Sequence, residues 1–168
     1  MKTHLILILL FAALVGLAQT KFDSAVNTKS TFTDYSGTYQ FGPLQNGRQG
    51  KLTILHNKSG KILFYIYLDG GKPSEHEGEL YGECMLKHNK SIFITQIEDA
   101  EKSCSWSMIF SGNTITIKTI NDLNECGFGY GVKADGLYRK VSTNRPEYFI
   151  DMNNEKNYFH KTIPKNKI

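Results

Sequence analysis

The stretch from Cys126 to Lys140 reads CGFGYGVKADGLYRK and is the most informative segment of the sequence. If it is a strand, four larger side chains share one face: Cys126, Phe128, Tyr130 and Val132. The intervening glycines then share the other face. Because glycine weakens a strand, this pattern predicts that another backbone or an aromatic ring lies close against that face. Ala134-Asp135-Gly136 predicts a turn, after which the chain is extended again.

Similar short extended segments precede this stretch. We predict about nine strands between residues 34 and 140, joined by turn residues, and the segments show no helical period. Such spacing is typical of an antiparallel barrel or a sandwich. The first strand contains Gly37-Thr38-Tyr39 and the last contains Gly136-Leu137-Tyr138, and pairing of these similar ends would remove two exposed edges. We therefore predict an all-β fold and favour an antiparallel β-barrel, lipocalin-like in general architecture, over a sandwich.

The chain divides into four predicted parts. A positive Lys2, a short apolar run and the small residues Gly16-Leu17-Ala18 predict a signal peptide. The apolar run is shorter than the roughly 20 residues of a membrane span. Asn144-Arg145-Pro146-Glu147 has helix-start chemistry, so we expect the C-terminal part to be a short helix or a tail packed on the outside of the barrel. The parts are a signal peptide (1–18), an irregular lead-in (19–33), a β-barrel domain (34–142) and a C-terminal tail (143–168). We expect a secreted or periplasmic monomer with no membrane span.

The charge of the chain argues against nucleic acid as a partner. The net charge is +4, and removal of Lys2 with the signal peptide lowers it to about +3. The basic residues are spread along the sequence, whereas a nucleic-acid interface needs them clustered.

Three cysteines, Cys84, Cys104 and Cys126, would enter an oxidising compartment, where pairing is the default. Three pairings are possible, and one thiol is left over. Cys104 and Cys126 each lie on the apolar face of a predicted strand. A bridge between them would close a loop of about 23 residues, worth about 3 kcal/mol in loop-closure entropy. We favour this bridge, with Cys84 as a buried free thiol.

The sequence gives no strong indication of an enzyme. Glu75, Glu77 and Glu79 alternate on one predicted strand, but acids on an exposed strand face usually contact water. The histidines and cysteines lack the spacing of a metal site, and the glycines around Phe128 do not match a nucleotide-binding fingerprint. We therefore predict no catalytic residues, no metal and no cofactor. Asn57 and Asn89 each begin an Asn-Lys-Ser glycosylation pattern, which we interpret as turn asparagines.

Binding is the function that the apolar pattern favours. The predicted third strand, 61–68, is apolar on both faces, so something must cover its outer side: the tail aromatics or a partner protein. The interior of a small barrel either is filled by side chains or holds one small ligand. The candidate ligand-facing residues are Phe64, Trp106, Phe128 and Tyr130. We expect a non-enzymatic binding module for a small apolar molecule or a protein.

Three segments together resemble a group of small exported bacterial β-domains: Cys104 to Phe110, Thr114 to Lys118, and the motif Cys-Gly-Phe-Gly-x-Gly-Val-x-Ala-Asp-Gly-x-Tyr at 126–138. Most of the group is uncharacterised, and some members are labelled lysozyme-inhibitor-like. The resemblance implies an alternative function, inhibition of a secreted hydrolase such as lysozyme. An inhibitor must contact the acids in the lysozyme cleft with a protruding loop. Two predicted turns project in this way, Lys58-Ser59-Gly60-Lys61 and Gly131-Val132-Lys133-Ala134-Asp135-Gly136. We favour the second, so the candidate inhibitory turn carries Lys133 and Asp135.

Overall fold

The computed structural model describes residues 32–73, 76–95, 103–120, 126–162 and 164. The predicted signal peptide, most of the lead-in and Glu75 lie outside these ranges. Within the described ranges, no helix has the length and apolar character needed to cross a membrane.

Eight strands form one antiparallel sheet that nearly closes into a barrel, which confirms the predicted fold class. The sheet order is β4-β3-β2-β1-β8-β7-β6-β5, so consecutive strands pair within β1–β4 and within β5–β8, and β1 pairs with β8. The strands are β1 Gly37–Phe41, β2 Gln49–His56, β3 Lys61–Asp69, β4 Glu77–Met85, β5 Lys90–Thr95, β6 Cys104–Ser111, β7 Thr114–Thr119 and β8 Gly136–Ser142.

The two ends of the barrel sequence meet as predicted, because β1 and β8 pair antiparallel with Tyr39 opposite Lys140. The open side lies instead between β4 and β5, which no ladder joins within the described residues. Side chains close this seam on the inner side. Gly82 leaves room for Phe93, since a Cβ on this glycine would lie 2.5 Å from the Phe93 ring. Further along, the Cys84 thiol donates a hydrogen bond to Ser91 Oγ at 3.3 Å.

The segment from Cys126 to Val132 is a loop, so the prediction that it forms a strand is wrong. Gly127 and Gly131 adopt φ angles of +71° and +77°, which a strand residue does not have. The loop crosses the free edge of β4, where Gly129 N donates to Glu77 O at 3.0 Å. A Cβ on Gly129 would lie 2.6 Å from His76 Cβ, so the predicted close approach does occur at this glycine.

The C-terminal tail forms a β-hairpin and not a helix. Its strands are β9 Tyr148–Ile150 and β10 Lys156–Tyr158. Asp151 Oδ1 accepts hydrogen bonds from the backbone N–H groups of Asn153 and Glu155, at 2.9 and 2.8 Å, which shapes the connecting turn. The chain therefore turns at Asp151 and forms a hairpin, where the sequence around Pro146 predicted the start of a helix.

The hairpin covers part of the outer surface of the barrel. Phe149 and Phe159 are buried against Tyr65 and Tyr81, which point outward from β3 and β4. Tyr81 Oη donates to Phe159 O at 2.9 Å. The tail therefore covers the second apolar face of β3, one of the two alternatives that the sequence left open. By contrast, Ile94 on β5 remains 58% exposed.

The cysteines are arranged as the sequence favours. Cys104 and Cys126 form a disulfide with an S–S distance of 2.08 Å, and Cys84 is a buried free thiol. Burial raises the pKa of Cys84 to about 12, reinforced by the nearby Glu83 and opposed by the hydrogen bond to Ser91. The bridge ties β6 to the loop that follows β7, and so fixes the base of the Cys126–Val132 loop.

Candidate functional site

The barrel interior is filled by aromatic side chains. Phe64 and Trp106 are fully buried and lie around Phe93, with ring centroids 5.0 Å (Phe64) and 4.7 Å (Trp106) from that of Phe93. Phe128 packs beside them, its centroid 6.1 Å from that of Trp106. Three of the four predicted ligand-facing residues therefore contact one another or the same core. The fourth, Tyr130, is 86% exposed, so the prediction that it faces the interior is wrong. It sits at the turn of a loop, where strand alternation does not apply.

An open groove with a volume of about 850 Å³ lies outside the barrel, between the C-terminal hairpin and the sheet. We call it the hairpin groove. Its floor consists of outward side chains of β1 to β3, and its wall is the chain around β9. The residues that matter below are Thr38, Lys51, Thr53 and Tyr67 on the floor, and Tyr148 and Ile150 on the wall.

The charged side chains at the hairpin groove differ in whether they already form hydrogen bonds or ion pairs within the protein. Glu77 accepts a hydrogen bond from Tyr67 Oη at 2.5 Å, and Arg145 donates to Asp34 Oδ2 at 2.9 Å. Burial, the hydrogen bond to Glu77 and its negative charge raise the pKa of Tyr67 to about 12, so this phenol stays neutral. The side-chain ammonium group of Lys51 has no hydrogen-bond or ion-pair partner among the described residues. Lys51 is therefore the floor cation available to a ligand.

A serine, a histidine and an acid meet at one end of β2, but their geometry is structural. Ser36 Oγ donates to Asp34 Oδ1 at 2.6 Å and accepts from the backbone N–H of His56 at 3.0 Å, not from the ring. Arg145 also donates to Ser36 Oγ, at 2.9 Å. Burial lowers the pKa of His56, and Arg145 lowers it further, against opposite effects of Asp34 and the Thr33 backbone. The cluster anchors the tail to the barrel and lacks the serine–imidazole hydrogen bond of a nucleophilic site.

Hydrogen bonds from Arg48 and the burial of two of its residues hold the predicted inhibitory turn in place. Arg48 Nη2 donates to Lys133 O at 2.9 Å and to Asp135 O at 2.5 Å, and Val132 and Ala134 are buried. The carboxylate of Asp135 accepts hydrogen bonds from the backbone and the hydroxyl of Thr119. Lys133 is exposed, whereas Asp135 is half-buried with its carboxylate already bonded, so of the two candidate residues Lys133 is the one whose side chain is open to solvent.

Glu77 and Glu79, two of the three alternating acids in the sequence, already accept hydrogen bonds that stabilise the fold. Glu77 accepts the Tyr67 hydrogen bond, and Glu79 Oε2 accepts from Tyr65 Oη at 2.6 Å and from Met152 N at 2.9 Å. Asn57 Oδ1 accepts from the backbone N–H groups of Ser59 and Lys61 at 3.1 and 2.9 Å, so Asn57 shapes its turn as expected. Within the described ranges, histidine, cysteine, aspartate and glutamate form no cluster of three or more that could hold a metal ion.

Comparison of this chain with protein families, with curated proteins and with solved structures finds no match. The site must therefore be judged from its own geometry. The hairpin groove was not predicted from the sequence. The available signal was a turn sequence, Asp151-Met152-Asn153-Asn154, placed between Tyr148-Phe149 and Tyr158-Phe159. Aromatic pairs flanking a turn predict a hairpin, and a hairpin on a sheet face leaves a groove beside it.

Proposed function

We propose that this protein is an exported, non-enzymatic binding module that holds its ligand in the hairpin groove and not in the barrel interior. One observation carries the proposal: the groove has a volume of about 850 Å³ and combines aromatic and charged side chains, whereas Phe64 and Trp106 are buried in a packed core. Concave surfaces with a few convergent polar groups are the usual binding sites of proteins.

Export is supported by the apolar N-terminal run of the sequence and by the Cys104–Cys126 disulfide, which is typical of proteins in oxidising compartments. The proposal that the protein is not an enzyme is supported by the carboxylates that are already bonded. Glu77, Glu79 and Asp34 each accept hydrogen bonds that hold the fold together. We further propose that the protein acts as a monomer, because the hairpin already covers the aromatic residues on the outer face of β3.

Binding in the groove is tested by mapping ligands on the folded protein. We would titrate it with random linear peptides and with oligosaccharides, and record the amide chemical shifts of Lys51, Tyr67 and Tyr148. Binding should shift these residues and should weaken about tenfold in Tyr67→Ala, which removes a groove-floor ring. The matched control is Tyr130→Ala, which removes an exposed ring outside the groove. Native mass spectrometry of the purified protein tests the competing interior site. A co-purified apolar molecule that shifts Phe64 and Trp106 would contradict the groove.

A second candidate function is inhibition of a secreted hydrolase such as lysozyme. The observation that favours it is an exposed Lys133 on a loop that Arg48 and the disulfide hold in place, because a rigid loop loses little conformational entropy on binding. We would measure cell-wall lysis by lysozyme with the wild type, with Lys133→Ala and with the control Lys58→Ala. Inhibition that disappears only in Lys133→Ala supports this function. No inhibition at a several-fold molar excess removes it.

A further inference from the structure

Among the residues that the structure describes, β9 pairs with β10 alone, so its other backbone edge is free. Asp151 N donates to Glu155 O at 3.1 Å, and Phe159 N donates to Glu147 O at 3.2 Å. In an antiparallel pair, hydrogen-bonded residues alternate with non-bonded residues. The residues that bond to β10 are therefore the odd-numbered ones, 147, 149 and 151. The N–H and C=O groups of Tyr148 and Ile150 point away from β10.

This free edge borders the hairpin groove, since both Tyr148 and Ile150 line it. The Phe149 side chain is turned toward the barrel and buried, whereas the side chains of Tyr148 and Ile150 are 41% and 46% exposed. A row of backbone donors and acceptors beside an open groove is the arrangement to which an extended peptide adds as a further strand.

The groove floor fits a strand in this position. Thr38 and Thr53 are opposite each other on β1 and β2 and provide a small, polar surface. This surface lies beside the larger side chains of Lys51 and Tyr67, which are opposite each other on β2 and β3. A strand hydrogen-bonded to β9 would lie about 4.8 Å from it, with alternate side chains directed toward the floor and toward solvent. The four backbone groups of Tyr148 and Ile150 would be satisfied by a segment of about three to five residues.

We propose that the hairpin groove binds an extended polypeptide segment of a partner protein, which adds to β9 as a third strand of the C-terminal hairpin sheet. This inference rests on the proposed function, because it assigns a ligand class to the same groove. The backbone edge favours a polypeptide over a polysaccharide, since only the polypeptide repeats donors and acceptors at the period of a strand.

The test begins with the intact mature protein and a library of random 12-residue linear peptides. A peptide that shifts Lys51, Tyr67 and Tyr148 is then resynthesised with one N-methyl amino acid at a time. N-methylation removes a backbone donor, so methyl groups that face β9 should weaken binding about tenfold. Those on alternate positions should leave the affinity within about twofold. This period-two pattern is the signature of strand addition, and it is measured on the wild-type fold.

A protein variant provides the complementary measurement. Ile150→Pro removes a donor on the free edge but none of the bonds to β10, and proline is tolerated where the N–H faces away from the ladder. We expect about tenfold weaker peptide binding, while the control Ile150→Val keeps the donor and stays within about twofold. Unchanged near-ultraviolet circular dichroism verifies the fold of each variant.

The outcomes separate this inference from the proposed function. Peptides that bind in the groove without a period-two pattern overturn strand addition and leave the groove as the binding site. If oligosaccharides bind in the groove and no peptide does, strand addition is likewise overturned and the groove remains the binding site. If neither probe class binds in the groove, both proposals are overturned.

Discussion

The ring of Phe149 stacks on the ring of Tyr65, with centroids 4.2 Å apart and an angle of 11° between the ring planes. Tyr65 projects outward from β3, and its hydroxyl donates to Glu79, which also accepts from Met152 N in the hairpin turn. Burial, the hydrogen bond to Glu79 and the charges of Glu79 and Asp151 raise the pKa of Tyr65 well above its ordinary value, so the phenol remains a donor. One outward residue thus joins the hairpin to the barrel through both packing and a shared acceptor.

The Phe149–Tyr65 contact predicts a large effect of Phe149→Ala. Phe149 is 6% exposed, and truncation of a buried phenylalanine costs about 3–5 kcal/mol. We expect the free energy of unfolding in urea to fall by about 3 kcal/mol. The control Ile150→Ala, at a side chain that is 46% exposed, should cost about 0.5 kcal/mol or less. Equal losses in the two variants would contradict the packing role of Phe149.

The Cys104–Cys126 bridge predicts how reductant affects stability. The double variant Cys104→Ala/Cys126→Ala should lose about 3 kcal/mol of unfolding free energy, and dithiothreitol should not lower it further. The control Cys84→Ala keeps the bridge, so reductant should still destabilise it. Iodoacetamide should not label native Cys84, because the thiol is buried and its pKa is raised to about 12. Rapid labelling of the native protein would show that Cys84 is accessible.

The missing side chain of Gly82 predicts strain in Gly82→Ala. A Cβ there would lie 2.5 Å from the Phe93 ring and 2.7 Å from the Phe64 ring. Overpacking of this kind costs about 1–3 kcal/mol. We also expect altered Trp106 fluorescence, because the Phe93 and Trp106 rings are in contact at 4.7 Å. The control is Gly131→Asn, where asparagine tolerates the positive φ and no atom lies within 4 Å of the new Cβ. A neutral Gly82→Ala would mean that the two rings can move apart.

The environment of His56 predicts a loss of stability on mild acidification. Its folded pKa is lowered, so the unfolded chain takes up the proton first as the pH falls below about 6.5. The stabilisation is complete above that pH and is lost as the pH falls through the folded pKa, with a slope of at most about 1.4 kcal/mol per pH unit. Urea unfolding between about pH 7.5 and 5 measures the slope. It should be reduced in His56→Gln and retained in the control His160→Gln, and an unchanged slope in His56→Gln would exclude this residue as its source.

The strands could be predicted from the sequence because alternation along the chain is a local property. Leu52 and Ile54 lie in the core on β2, and Ile62, Phe64 and Ile66 continue the pattern on β3. The pairing of β1 with β8 was also predictable, since the two ends carry similar residues. Local pattern failed where glycine alternates with larger residues. Gly127 and Gly131 could be part of a strand, but both adopt positive φ angles. The disulfide at Cys126 and the hydrogen bond of Gly129 to the edge of β4 hold this segment as a loop.

The hairpin groove could not be predicted in the same way. Its floor comes from strands β1 to β3 and its wall from a segment about 100 residues later, and their meeting depends on Phe149 packing against Tyr65. Pro146 suggested a helix by its own chemistry, while the turn at Asp151 and the flanking aromatic residues favoured a hairpin. Tertiary burial of Phe149 and Phe159 decided between these local alternatives.

The seam between β4 and β5 has a consequence for the order in which the protein folds. The sheet consists of two meanders, β1–β4 and β5–β8, which are joined by the β1–β8 ladder and meet without a ladder at this seam among the described residues. Within each meander every ladder joins strands that are adjacent in sequence. Of the ladders between described residues, the β1–β8 ladder alone joins residues about 100 positions apart. Contacts between distant residues form slowly because the loop they close must lose its entropy first. We therefore expect contacts within each meander to form before the β1–β8 ladder, and we expect the docking of β1 against β8 to limit the folding rate.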